Sequence, residues 1–352
     1  MRTASIFSII VAFFLCLSGC QNKDDLSKQK VIKLRFSSYN LPTDIPNLQA
    51  THALDLVEKK TNGRVKIERY MGGALGGVLE ELDLVSTGAV DIICLHLDQY
   101  PQQLPLHKIL NAEQFIGNEQ ALANITALTR EIPETKAIFE AEARKNNIKI
   151  LYCHVIGGNG ITSGFNARSL GDLKGKKVNV ITSYQRKVYS ELGLIPVNVQ
   201  IPELYESLSR GVIDAIFMAT AAAVPLKWYE VGKTYLTLGD NVNISMPITF
   251  NLNTWNSLPA DVQQAFLEAS QETAQWSIEE TRRILKETYE TFEAAGLDIV
   301  DPPQEEINKF WEQFASVATE DWLENAKEKG VGDQAAVIQK YWDDMKWGRW
   351  TK

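Results

Sequence analysis

Residues 258–295 carry no glycine, and their only proline, Pro259, sits in the first turn, where proline is tolerated. The run is rich in Ala, Glu, Gln and Leu, and Gly296 stops it. At the α-helical rise this segment would be roughly 55 Å long, longer than one domain is wide. A helix of that length could lie across two domains. The chain has 352 residues, more than one hydrophobic core usually serves, so two domains are expected on length as well.

Elsewhere strands and helices alternate. Residues 31–36, 65–69 and 90–95 read as strands. A helix over 47–61 is capped by Asn47, and a second, over 78–87, follows the glycine-rich turn at 71–77. A second series starts near Ile161: strands at 177–181, 195–199 and 212–217, with helices at 183–192 and 202–209. This order predicts an α/β fold with mainly parallel sheets. Gly157-Gly158-Asn159-Gly160 reads as a turn.

Hydrophobic content of 45% and charged content of 23% are ordinary for a globular protein. A net charge of -8 without a long Lys/Arg run argues against nucleic-acid binding. At the N-terminus Arg2 precedes an apolar run over 6–15 and then Leu17-Ser18-Gly19-Cys20. That layout is an export signal, too short to span a bilayer stably. Leu-Ser-Gly-Cys resembles a bacterial lipobox, which implies removal of 1–19 and lipidation of Cys20. An ordinary signal peptide with a chance cysteine is the alternative. Residues 20–30 then form a tether. Gln21 gives no inner-membrane retention signal. Of the remaining cysteines, Cys94 and Cys153 lie in apolar strand-like runs. Two buried thiols or, given export, a disulfide are both open.

Several blocks carry a family resemblance. Gly171-Asp172-Leu173-Lys174-Gly175-Lys176-Lys177-Val178-Asn179 is one, and the passage from Leu56 to Val65 is another. Leu75-Gly76 with Gly88-Ala89-Val90-Asp91, Glu203 to Asp214, and Trp255-Asn256-Ser257-Leu258-Pro259 complete the set. In this order they resemble the solute-binding proteins of TRAP transporters over nearly all of the mature chain. The resemblance implies a periplasmic-binding-protein-like (Venus flytrap) fold: two α/β domains, hinge strands, a long helix spanning both, and a ligand in the cleft. Domain I is expected over 31–160 plus about 247–282, and domain II over about 161–246 plus 283–352. It also implies an exported, periplasmic receptor that needs no cofactor, catalyses no reaction, and passes a small organic solute to a membrane permease.

The resemblance also marks departures. Members hold a carboxylate with an arginine where this chain has Asn179. Asn166 falls where a second basic contact is common, and Met218 near a ligand-contacting asparagine. His96 and Tyr39 match polar cleft positions, and Glu113, Gln114 and Phe217 lie near others. An asparagine amide cannot supply the charged fork of an arginine. The expected ligand therefore lacks an arginine-anchored carboxylate and is neutral, partly apolar or aromatic. Arg168 and Arg186 are possible substitutes for the missing cation, or solvated surface groups. Asp91 and Asp214 read as structural acceptors for loop amides. The tryptophans Trp342, Trp347 and Trp350 suggest a clamped terminal helix or a homodimer seam. A lipid-anchored hydrolase would need a nucleophile with a base in reach, and no such spacing stands out. A receptor reporting to a sensor protein remains the nearer alternative.

Overall fold

The computed structural model describes residues 30–111, 118–151, 156–180, 183–239, 241–243 and 246–345. The first sheet collects β1 (Ile32–Ser37), β2 (Val65–Tyr70), β3 (Ile92–Cys94) and β4 (Ile148–Leu151). Between them run α1 (Ile45–Lys60), α2 (Glu81–Ser86), α3 (Asn118–Thr126) and α4 (Pro133–Lys145). The chain crosses through β5 (Ile156–Gly157) to β6 (Asn159–Ser163), β7 (Lys177–Val180), β8 (Ile195–Asn198), β9 (Ala215–Ala219) and β10 (Thr234–Thr237). Helices α5 (Ser183–Glu191) and α6 (Leu204–Ser209) connect these strands. It returns through β11 (Val242–Asn243) to β12 (Ile248–Asn251) and α7 (Leu252–Ser257). Helix α8 (Ala260–Ala294) carries it over again to β13 (Asp298–Val300), and α9 (Gln304–Glu328) and α10 (Gly332–Asp344) follow.

The sheets have orders β2-β1-β3-β12-β4 and β13-β10-β6-β9-β7-β8, and β5 pairs with β11. Each holds a parallel trio, β2-β1-β3 or β8-β7-β9, flanked by one antiparallel strand fed from the crossing. Strand β12 enters with Ile248 opposite Cys94, and β6 enters with Asn159 opposite Ala219. Both crossings therefore meet the sheets at the carboxyl ends of β3 and β9. That register makes the carboxyl edges of the two trios the edges nearest the crossing.

Both faces of each sheet are covered, which is why the strands read as apolar runs rather than alternations. Leu34, Phe36, Ile92 and Phe250 face α1 and α8, while Ile93, Leu95, Ile148 and Ile150 fill the other side. In the second sheet Val178, Val180 and Phe217 pack on α5 and α9, and Ile216 and Tyr235 pack toward α6 and the end of α8. Helix α8 serves three cores in turn, through Phe266, Ile278 and Phe292. The long helix does lie across both domains. Helix α9 makes the return trip: Phe310 and Phe314 belong to the second lobe's core, but Trp322 packs with Leu106, Ile109 and Phe139. Ala335, Ile338 and Trp342 of α10 join them, clamping that helix to the body. Side chains of the C-terminal segment thus join cores of both lobes. Trp347 and Trp350 lie outside the described residues.

The two Gly-x-x-Asp blocks do the same work in the two lobes. Asp91 Oδ2 accepts from the backbone N–H of Arg35 at 2.8 Å, and Asp214 Oδ2 from that of Lys177 at 2.7 Å. Arg35 Nη2 donates to the Gly88 carbonyl at 3.1 Å, and Lys177 Nζ to that of Gly211 at 2.6 Å. Both glycines have positive φ, 79° and 70°, so only a residue without a Cβ turns the chain there at no steric cost. The structural reading of both aspartates holds.

Two expectations need correction. Asn47 does not cap α1; Pro46 occupies the first turn, and the Asn47 amide reaches back to the carbonyls of Asn40 (2.6 Å) and Leu41 (3.0 Å). Gly157 to Gly160 is not a turn: Gly157 ends β5 and Asn159 opens β6. Gly160 is required by packing, since a Cβ there would stand 1.9 Å from the Tyr235 hydroxyl. That phenol is fully buried and bonded to the Thr220 hydroxyl at 2.5 Å, so it cannot swing aside. Gly160→Ala should therefore cost about 1–3 kcal/mol by overpacking. Urea unfolding of the purified variant measures it, and a wild-type midpoint would disprove the clash.

Candidate functional site

In a doubly wound sheet the crevice for a ligand opens at the carboxyl ends of two parallel strands whose connections leave in opposite directions. Here those pairs are β1 and β3 in one lobe and β7 and β9 in the other. The residues just past β1 and β3 are Tyr39 and His96. Their rings meet edge-on with centroids 6.2 Å apart. Tyr39 is 45% exposed, whereas His96 is buried.

His96 is held by Glu81 of α2. One carboxylate oxygen accepts both the His96 backbone N–H at 3.0 Å and Nδ1 at 2.8 Å, and the other lies 3.0 Å from Nδ1. Glu81 is only 1% exposed. Burial pulls the imidazole pKa down, but the charge and hydrogen bond of Glu81, with the charge of Asp98, outweigh it. The net shift is upward from 6.5. Among the described residues no group bonds Nε2. The same grip recurs at His107, which Glu142 holds by backbone N–H (3.0 Å) and Nδ1 (2.6 Å), but there the ring packs edge-on against Phe139 inside the core. His52 stacks on Trp276 at 4.0 Å and is structural.

In the second lobe β7 and β9 pair through Val178 and Ala215. Beyond that pair the Asn179 amide bridges the two strands: Oδ1 accepts the Phe217 N–H at 2.8 Å, and Nδ2 lies 3.5 Å from the Phe217 carbonyl. Val178 and Val180 point into one core, so Asn179 points to the opposite face. Asn179 is thus a strand clamp with one N–H only weakly engaged. Met218, opposite Gly160, is partly buried near the end of β9.

The remaining sequence candidates fare differently. Phe217 is core: its ring packs on Tyr189, Phe310, Trp311 and Phe314 and is 2% exposed. Asn166 is exposed beyond Ser163, which pairs with the first residue of β9, so it sits at the sheet edge away from the crossing. Arg168 lies at that edge too, paired with Asp298 at 2.6 Å. The antiparallel run of β6 reverses its direction relative to β7 and β9 and puts both at the wrong end. Arg186 is exposed on α5. Glu113, Gln114, Cys20 and Cys153 lie outside the described residues. The buried Cys94 thiol donates to the Met246 carbonyl at 3.2 Å.

Asn159 was missed. It stands at the cleft-side end of β6 beside Ala219, 7% exposed, with Nδ2 lacking a hydrogen-bond partner among the described residues. Its backbone is tied to the Asn241 side chain at 2.6 and 3.0 Å. The flanking glycines disguised a strand as a turn; only the pairing with β9 exposes it. No group of three or more His, Cys, Asp or Glu among the described residues is arranged to hold a metal, and no helix among them is long and apolar enough to cross a membrane.

Two sheets with facing carboxyl edges, joined by short crossing strands and spanned by one helix, define a two-lobed solute-binding protein. Residues 36–325 match the family model DctP, described as bacterial extracellular solute-binding protein, family 7. The C4-dicarboxylate-binding periplasmic protein DctP of Rhodobacter capsulatus is 24% identical over 256 residues, 70% of this chain and 73% of that one. A TRAP periplasmic solute-binding protein from Desulfovibrio salexigens superposes with a TM-score of 0.75 at 22% identity, covering 91% of this chain and 98% of that one. DctP7 of Bordetella pertussis, an extracytoplasmic receptor binding pyroglutamic acid, gives 0.69 at 20% identity, covering 88% and 100%. The chain belongs to the family of TRAP extracytoplasmic solute receptors. That family consists of periplasmic receptors for small organic solutes that work with TRAP permeases, not of enzymes.

Asn179→Ala strands the buried Phe217 N–H and should cost about 1–3 kcal/mol. Asn179→Asp keeps the acceptor but puts a carboxylate at a site only 1% exposed and facing the Phe217 carbonyl, so it should recover the loss only at low pH, where the carboxyl is protonated. Denaturant unfolding of the two variants across pH checks this, and wild-type stability for Asn179→Ala would mean that the clamp is idle.

Proposed function

We propose that this chain is a lipid-anchored TRAP receptor that closes on its solute between Tyr39 and His96 of the first lobe and Asn159, Asn179 and Met218 of the second. The observation that carries this reading is positional. All five stand at or beside the carboxyl ends of the strand pairs that bound the two crevices. Hinge closure between lobes would bring the crevices together and bury the solute.

The relatives point to small organic acids, since those of Rhodobacter and Bordetella are named for C4-dicarboxylates and pyroglutamic acid. This chain would hold such a solute differently. Among the described residues at the ends of β1, β3, β7 and β9 there is no arginine or lysine. Imidazole, phenol and amide groups replace the guanidinium fork, so the solute is not an arginine-anchored carboxylate.

A thermal-shift screen over organic acids, lactams, aromatic and neutral metabolites tests the reading. A true ligand at about a hundred times its Kd adds about 2.7 kcal/mol of stability. A complex in which a carboxylate is forked by Arg168 or Arg186 would overturn the proposed pocket. The anchor is checked separately: Cys20→Ser, expressed with its native leader in a bacterial host, should move the protein from the membrane fraction to the soluble periplasmic fraction. Unchanged membrane recovery would argue against lipidation at Cys20.

A further inference from the structure

The first lobe holds an imidazole–carboxylate pair past the ends of β1 and β3. Glu81 is nearly inaccessible, yet its carboxylate is fully used: it takes the His96 backbone N–H and faces Nδ1 with both oxygens. A buried carboxylate needs such partners, because an unpaired charge away from water is costly. The double grip fixes the ring. Nδ1 must carry a proton toward Glu81, so the opposite nitrogen, Nε2, faces away from the carboxylate. No described group bonds Nε2, and the ring edge lies beside Tyr39 past the ends of β1 and β3.

We propose that Glu81 is a positioning residue that keeps His96 protonated, and that the Nε2–H of this imidazolium is the anchor for one carboxylate of an acidic solute. The inference rests on the receptor reading above and names the chemistry of its first-lobe contact. A ligand oxygen at Nε2 meets the positive ring first, with Glu81 behind the ring and farther away. A single point donor replaces the fork of a guanidinium, so the site selects for one acceptor oxygen rather than a bidentate carboxylate.

Protonation decides the sign of the contact. The charged groups facing the ring are Glu81 from α2 and Asp98 from the following turn, and both favour the imidazolium over the opposing effect of burial. Tyr39 supplies the remaining neighbour from the β1 side. Below the raised pKa, Nε2 donates and an anion binds. Above it, with Nδ1–H still directed at Glu81, Nε2 holds a lone pair and repels the same oxygen. While Glu81 stays ionised, anion capture and the stability that the ion pair adds are therefore present below the ordinary imidazole value of 6.5 and lost as pH rises through the raised folded-state value.

The test uses the full-length protein with 15N-labelled histidines, with His96→Gln assigning the resonance, and malonate as the probe at tens of millimolar. His96 should be more than half doubly protonated at pH 6.5, the ordinary imidazole value, and Glu81→Gln should lower its midpoint. Malonate, but not sodium chloride at equal ionic strength, should shift the Nε2 resonance saturably. In Glu81→Gln that response should weaken about tenfold at a pH between the two measured midpoints and recover below the lower one, which a merely structural role for Glu81 would not produce. A neutral His96 ring in a protein that still captures an acid in the thermal screen overturns this inference alone. An equal loss in Glu81→Gln at both pH values does the same. An imidazolium that malonate leaves unmoved, in a protein that captures no solute of any class, overturns the receptor reading with it.

Discussion

One amphipathic helix has to satisfy the interiors of both lobes, and the rest of the architecture is arranged around that constraint. Helix α8 buries Val262 and Phe266 against the first sheet, Ile278 beneath the α3–α4 layer, and Phe292 against Trp228 and Tyr235 of the second lobe. Its polar stripe carries ion pairs such as Arg283 with Glu280 and Glu287. An apolar face this continuous leaves little freedom for the lobes to separate along the helix axis. The closure proposed above is expected to occur by rotation about the crossing strands. Helix α9 adds a second strut, with Trp311 donating to the Leu238 carbonyl and Trp322 to that of Pro105, at 2.8 and 2.9 Å in different lobes.

Each lobe solves the same local problem with the same parts. A strand of the parallel trio must start in register with its neighbour, and an aspartate at the start of the neighbouring strand accepts its backbone N–H. The glycine three residues earlier turns the chain and offers its carbonyl to a cation on the same strand. At the opposite ends of these strands the requirement is reversed, because the backbone must separate to leave a crevice. Asn179 serves that end in the second lobe, satisfying the Phe217 amide beyond the pairing of Val178 with Ala215. In the first lobe His96 and Glu81 occupy the corresponding place. The lobes thus share a rigid amino edge, while their carboxyl edges differ in chemistry: ionic in one, amide and thioether in the other.

Much of the fold was legible because period and punctuation are local. The strands at 65–69 and 195–199 and the long helix differ from their observed limits by one or two residues. The aspartate locks were legible too, since a Gly-x-x-Asp block next to an apolar run leaves its carboxylate few other uses. The site was legible only in part. Tyr39, His96, Asn179 and Met218 came from motif positions, and all fall at the strand ends where a crevice can form. Asn166, Arg168 and Phe217 did not, because strand direction and side-chain face decide those cases. Strand β6 runs against its neighbours, which carries Asn166 to the far edge. Alternation along β9 sends Phe217 into the core and Met218 to the other side.

The chain by itself determined the α/β class and the bridging helix, which follow from apolar spacing and from where glycine and proline interrupt it; two domains followed from its length, and their two-lobed arrangement from the family resemblance. Only the tertiary structure decided which polar groups carry charge and which are occupied. Nothing near Glu81 in sequence predicts that it grips His96, fifteen residues away, and nothing near Asn179 predicts that its amide belongs to β9. Those pairings arise where two strands end side by side, and the burial that makes them consequential exists only once both lobes have packed.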